Sequence, residues 1–135
     1  MIRFILVFAA INGALAIILG AFGAHGLRGE ISEALLAAYK TGVFYHLVHV
    51  LALLFLAVFM LVLHQQNNNL SVWLRVSAYL WMAGITLFSG SLYGLAVSLG
   101  SWLGPVTPIG GLLLIGGWIC LFIAIVRLSE LKKYV

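Results

Sequence analysis

The sequence predicts an all-α integral membrane protein: a four-transmembrane-helix antiparallel bundle with a short interfacial helix between the first two spans. Three observations predict it. Of 135 residues, 64% are hydrophobic and only 7% are charged, and the mean hydropathy is +1.21. Soluble globular domains are roughly 25% charged, and so few polar groups could not cover a domain of this size in water. Second, four apolar stretches reach the roughly 20 residues that a helix needs to cross a hydrocarbon core of about 30 Å. Third, these stretches lack the alternation of barrel strands, and their short connections make sequential helices antiparallel neighbours. By length the chain is one domain, here a single four-span unit over 1–135.

The first span, 2–24, reads "IRFILVFAAINGALAIILGAFGA". Its basic start and the small residues Ala21 and Gly23 imitate a cleavable signal. Its apolar run is a full span rather than a short signal core, so it is expected to stay in the membrane. Next comes "EISEALLAAYK", in which Ile31, Leu35, Leu36 and Tyr39 share one helical face opposite Glu30, Glu33 and Lys40. Run straight into the second span, 42–63, it would make a helix of over about 45 Å at 1.5 Å per residue. The expectation is therefore an interfacial helix over 31–40 and a bend near Thr41 and Gly42; the alternative is one long tilted helix that protrudes. The third span, 72–97, follows "HQQNNNLSVWLR". The fourth, 108–128, follows the uncharged "SLGSWLGPVTP".

Four spans place both termini on the side of the middle connection, with Arg3, Arg75, Arg127, Lys132 and Lys133. The opposite side has Arg28 and Lys40, so the positive-inside rule puts both termini in the cytoplasm. The formal charge of +4 is spread along the chain, which argues against nucleic acid as a partner. The one cysteine, Cys120, excludes an internal disulfide. The two hairpins share an orientation, unlike the inverted repeats of many transporters.

Unusual residues gather at one end of this topology. "GAFGAHGL" closes the first span, "YKTGVFYHLVH" opens the second, "FSGSLYGLA" closes the third and "GPVTPIGGLLLIGGW" opens the fourth. These four ordered motifs together resemble the small YgdD/YwdK-like family of bacterial inner-membrane proteins, a domain-of-unknown-function family with mitochondrial relatives, and the resemblance spans nearly the whole chain. The resemblance implies a multi-pass protein of the bacterial inner (plasma) membrane with four spans, and no established activity or catalytic residues.

On the second helix Tyr39, Gly42, His46 and His49 are spaced three, four and three, which puts them on one face. Polar groups in hydrocarbon turn inward to find partners. Thr86, Ser89 and Tyr93 make a matching stripe on the third helix. The two stripes either form a network that fixes helix register or line a pocket for a small apolar or amphipathic ligand. His46 and His49, joined by His25 from the first helix, are the candidate metal ligands, and three imidazoles with an open position would suit zinc or copper. Haem would need an axial ligand from another helix, because neighbours on one face cannot reach both sides of an iron. No cofactor is predicted from signals this sparse.

Thr107 before Pro108 reads as an N-cap followed by the first helical residue. Gly110 and Gly111 would then either leave first-turn amides open to an anion or permit close packing, and packing is preferred. Small residues also recur at helical spacing. Ala9, Gly13, Ala16, Gly20 and Gly23 make a groove on the first helix, Gly90, Gly94 and Ser98 on the third, and Gly116, Cys120 and Ala124 on the fourth. Such grooves let helices approach in lipid. Asn12, deep in the first span, is expected to bond another helix or a backbone carbonyl.

Three function classes follow. The favoured one is a non-enzymatic protein that binds a lipid or small ligand at the non-cytoplasmic end, or docks on a larger membrane complex or a second copy of itself. The alternative is a metalloprotein or membrane enzyme using His25, His46 and His49, though Ser89 or Ser91 beside His46 forms no recognisable catalytic set. A small transporter or channel is disfavoured because the spans hold no carboxylate or lysine for ion coupling.

Overall fold

The computed structural model describes residues 1–66 and 70–128. They form four helices and one 3₁₀ turn: α1 Ile2–His25, α2 Glu33–Gln65, α3 Val72–Ala96, the turn Ser101–Leu103, and α4 Val106–Arg127. All four helices are long and apolar enough to cross a membrane, and no strand occurs among the described residues. Lys132 and Lys133, used above to orient the chain, lie outside the described residues.

α1 ends where the amides of Gly26 and Leu27 both bond the carbonyl of Phe22, at 2.7 and 3.1 Å. The connection turns through Gly29 at φ +87°, a conformation that a Cβ would strain. Ser32 then caps α2, its hydroxyl accepting from the amide of Leu35 at 3.3 Å.

α2 runs 33 residues without interruption, about 50 Å at 1.5 Å per residue. The segment expected as a separate interfacial helix over 31–40 is instead, from Glu33 onward, the first turns of this helix. The long-helix alternative is the arrangement adopted. No proline breaks the junction, and α3 braces it. The bare Cα of Gly42 lies against Leu92 and Tyr93, and the Ser89 hydroxyl donates to the Gly42 carbonyl at 2.8 Å. Thr41 turns its hydroxyl back to the Ala37 carbonyl at 3.0 Å, so its polarity is absorbed by the helix itself.

Each helix packs on its sequence neighbours, α1 on α2, α2 on α3 and α3 on α4, and α1 and α4 make no extensive contact with each other. The core combines Ile5 and Ala9 of α1, Leu53, Ala57 and Met60 of α2, Leu74, Ala78 and Trp81 of α3, and Leu114 and Ala124 of α4. Phe55 and Phe122, 76% and 67% exposed, face outward, where lipid tails rather than water would cover them. At the end where α1 begins and α4 stops, the Arg127 guanidinium lies 5.4 Å from the Trp73 ring centroid, a cation–π contact.

α3 and α4 approach most closely. A Cβ at Gly110 would fall inside the backbone of Phe88, one at Gly84 would strike Leu114, and one at Gly117 would strike the Trp81 indole. Donors from α3 close the same seam: Ser77 bonds the Gly117 carbonyl at 2.8 Å and the Trp81 N–H bonds the Leu114 carbonyl at 3.2 Å. Gly110 therefore serves packing rather than an open anion site. The expected packing glycines divide. Gly23 and Gly94 are pressed against Tyr39 and Leu103, whereas Gly13, Gly20 and Gly116 have only ordinary neighbours at 3.4–3.5 Å. Gly90 faces open space, with nothing within 4 Å of a Cβ built there, so its role in packing is not realised. On α4 the tight position is Gly117, one residue and about 100° round the helix from Gly116.

Candidate functional site

The polar residues of α2 run from Tyr39, near the end that carries the α1–α2 and α3–α4 connections, inward to His46 and to His49 at the middle of the helix, deeper than the end layer the sequence suggests. His46 and His49 are 4% and 3% exposed, yet neither imidazole is free. His46 Nε2 lies 3.2 Å from Asn12 Oδ1, and its Nδ1 lies 3.1 Å from the Tyr93 hydroxyl. Asn12 also donates its Nδ2 to the Phe8 carbonyl at 2.9 Å. That bond fixes the amide orientation, leaving Oδ1 as an acceptor. His46 therefore carries its proton on Nε2, and Nδ1 accepts from Tyr93. One side chain thus ties α1 and α3 to α2.

His49 is held the other way round. Its Nε2 receives the Trp118 indole N–H at 3.1 Å, and its Nδ1 lies 2.8 Å from the Tyr45 carbonyl. Indole can only donate and a carbonyl can only accept, so His49 is neutral with its proton on Nδ1. Around it, Trp81 and Trp118 meet edge to face at 4.7 Å, and the Tyr45 ring stacks on the imidazole at 6.0 Å and 13°.

Of the other expected residues, Tyr39 is buried and donates to the Leu19 carbonyl at 2.8 Å, with its ring 4.9 Å from that of Tyr93. Ser89 bonds the Gly42 carbonyl, so its hydroxyl joins α3 to α2 rather than reaching a histidine. Ser91 pairs with Thr107 at 2.7 Å, and neither serine bonds His46. Three expectations are corrected. Thr86 is exposed and bonds the Met82 carbonyl of its own helix at 3.0 Å, satisfying its hydroxyl locally, outside the network. Thr107 is not the cap of α4, which starts at Val106 after Pro105; Thr107 lies in the first turn, where its hydroxyl serves Ser91. His25 is exposed at the end of α1 and is not brought to His46 and His49. Among the described residues, no group of three His, Cys, Asp or Glu side chains could hold a metal ion. Both ring nitrogens of His46 and of His49 already have partners, which leaves no lone pair directed at an ion.

Beside His49 a cleft of about 230 Å³ opens between α2, α3 and α4, lined by Tyr45, His49, Phe88, Gly111, Leu114, Ile115 and Trp118. Sequence reasoning missed Tyr45, Trp81 and Trp118. A signal was available for the tryptophans: both lie well inside a span, whereas tryptophan is enriched at the membrane–water interfaces. Asn12 was singled out as a bonding residue, but its partner His46 depends on the rotation of α1 against α2.

Fold and site together define a four-span membrane protein whose helices are joined by interhelical polar contacts, several of them well inside the spans. The chain belongs to the family described as "Protein of unknown function (DUF423)", which matches residues 19–111. It is 43% identical over 122 residues to the UPF0382 membrane protein YwdK of Bacillus subtilis, covering 90% of this chain and 95% of that protein. It is 40% identical over 129 residues to the UPF0382 inner membrane protein YgdD of Escherichia coli, covering 95% and 93%. The UPF0382 membrane protein SAB0533 of Staphylococcus aureus is 40% identical over 122 residues, covering 90% and 94%. No solved structure matches the chain.

Proposed function

We propose that this is a non-enzymatic protein of the bacterial inner membrane that holds a small apolar or amphipathic molecule in the aromatic cleft beside His49, which reaches from the non-cytoplasmic half of the bundle to the middle of its helices. The cleft itself carries the proposal. It is bounded by Tyr45, Phe88 and Trp118, and Gly111 leaves its floor without a side chain. At about 230 Å³ it is smaller than the roughly 300–1,000 Å³ of drug-sized ligand sites. One ring or a short chain segment fits it and a haem does not. Because His49 is saturated by its two internal bonds, it shapes the wall and leaves recognition to aromatic surface. The serines engage carbonyls or Thr107, which favours holding over catalysis. The cytoplasmic placement of the termini is supported by Arg3, Arg75 and Arg127 at the end opposite Arg28 and Lys40.

The test is native mass spectrometry of the protein released gently from its own membrane, beside Gly111→Leu. A Cβ at Gly111 meets only the Phe88 ring at 3.7 Å, so leucine fills the cleft without a backbone clash. A defined additional mass on the wild type that is lost from the variant is expected. A bare wild-type chain, or the same scatter of lipids on both proteins, would overturn the proposal.

A further inference from the structure

A second cleft, of about 350 Å³, lies between the end of α1 and the start of α2, lined by Gly23, Ala24, Arg28, Glu33, Leu36 and Lys40. Two cations and one carboxylate share it, all exposed. Among the described residues, none of the three charged groups forms a hydrogen bond or ion pair. Their arrangement along α2 is ordered. Glu33 opens the helix, and Lys40 lies seven residues on, two turns along the same face and about 10 Å deeper at 1.5 Å per residue. That is beyond the reach of the usual i,i+4 pair, so carboxylate and ammonium stay available to a third party. Below Lys40 the face turns apolar, through Phe44, Leu47 and Leu51, which are 63%, 37% and 54% exposed. Carboxylate, cation and exposed hydrocarbon thus follow one another from the connection inward. A phospholipid with a pendant amine has the complementary order: ammonium outermost, phosphate beneath it, acyl chains below.

We propose that this cleft binds the headgroup of an amine-bearing phospholipid, with Arg28 and Lys40 on the phosphate, Glu33 on the ammonium, and the acyl chains along the Phe44–Leu51 face. Arginine and lysine both suit a phosphate, the first as a fork and the second as a flexible point charge. The carboxylate selects among lipids: it accepts hydrogen bonds from a primary ammonium, finds no donor N–H on a choline, and repels the net negative charge of a glycerol headgroup. Glycine at position 23 lets Tyr39 pack flush against α1 beneath the cleft, so the two helices that frame it are joined independently of any lipid. The site is separate from the aromatic cleft, and neither proposal depends on the other.

The experiment uses the full chain, stripped of lipid in a nonionic detergent and titrated with phosphatidylethanolamine, phosphatidylglycerol or phosphatidylcholine of matched acyl chains, with bound lipid read by native mass spectrometry. The ethanolamine lipid is expected to bind about tenfold more tightly than the other two, the scale of one charge-assisted hydrogen bond. Glu33→Gln should abolish that preference, and the double variant Arg28→Gln/Lys40→Gln should weaken binding of all three lipids. These side chains are exposed, so unfolding temperatures should stay at the wild-type value. Gly111→Leu should leave the preference intact, which separates failure here from failure at the aromatic cleft. Equal binding of the three lipids, or a preference that survives Glu33→Gln, would overturn the proposal. Displacement of the lipid by an equal concentration of free phosphoethanolamine would overturn the membrane source and assign the cleft to a soluble phosphoamine.

Discussion

Around His46, α1, α2 and α3 are joined by side chains that reach one another. Around Trp81, α3 and α4 are joined by side chains that reach backbone. In the first region, Asn12, His46 and Tyr93 bridge three helices through side-chain bonds of 3.1–3.2 Å, and the glycines of α1 that face Val43 and Val50 make only ordinary contacts. In the second, Gly84, Gly110 and Gly117 each lack a Cβ that would strike the facing helix. Ser77 and Trp81 then donate to the exposed carbonyls. A polar network tolerates small shifts, because its members can turn to follow one another. A seam of bare backbone tolerates none. The α3–α4 seam should therefore respond steeply to volume and the α1–α2–α3 network to loss of a hydrogen-bonding partner.

The largest effect expected is from Gly110→Leu. Its Cβ would occupy space held by the Phe88 backbone, which cannot rotate aside, and overpacking of this kind costs about 3 kcal/mol. Thermal unfolding in detergent should show it, beside Gly90→Ala, which faces open space and should hold or gain stability. Similar midpoints for the two variants would erase the contrast between seam and network.

A smaller effect is expected from His46→Ala, which leaves Asn12 Oδ1 and the Tyr93 hydroxyl unpaired, at about 1–3 kcal/mol. A double-mutant cycle with Asn12→Ala isolates the shared bond. Interhelical hydrogen bonds in membranes average about 0.6 kcal/mol and reach about 1.7, and the coupling should fall in that range. Strictly additive losses would mean that the two residues stabilise the fold separately.

The last prediction needs no substitution. Solid-state nitrogen NMR of labelled wild-type protein should find both histidines neutral, with the proton on Nε2 of His46 and on Nδ1 of His49. The same tautomer at both positions would break the assignment of partners that separates the two regions.

Much of the architecture was legible in the sequence because lipid imposes it. Helix length, apolar composition and short connections leave few alternatives once every backbone group must be satisfied inside its own segment. The gathering of Tyr39, His46, His49, Ser89 and Tyr93 on inward faces was legible for the same reason. Junction geometry was less so. Thr41 and Gly42 resemble a bend in isolation, yet bracing by Ser89, Leu92 and Tyr93 keeps α2 continuous. Thr107 has the chemistry of a cap and spends it on Ser91.

By itself the sequence determined that the chain crosses a membrane as helices, how many times it does so, and that Tyr39, His46, His49 and Ser89 turn inward, because these follow from the free energy of placing each group in hydrocarbon. It did not determine that Thr86 turns out. Tertiary structure alone decided which inward residues meet. His46 reaches Asn12 and Tyr93, His49 reaches Trp118, His25 reaches neither, and the close seam runs through Gly117 rather than Gly116. Those outcomes turn on helix rotations of about 100° per residue, and a rotation is set by packing against neighbours rather than by the composition of the helix that turns.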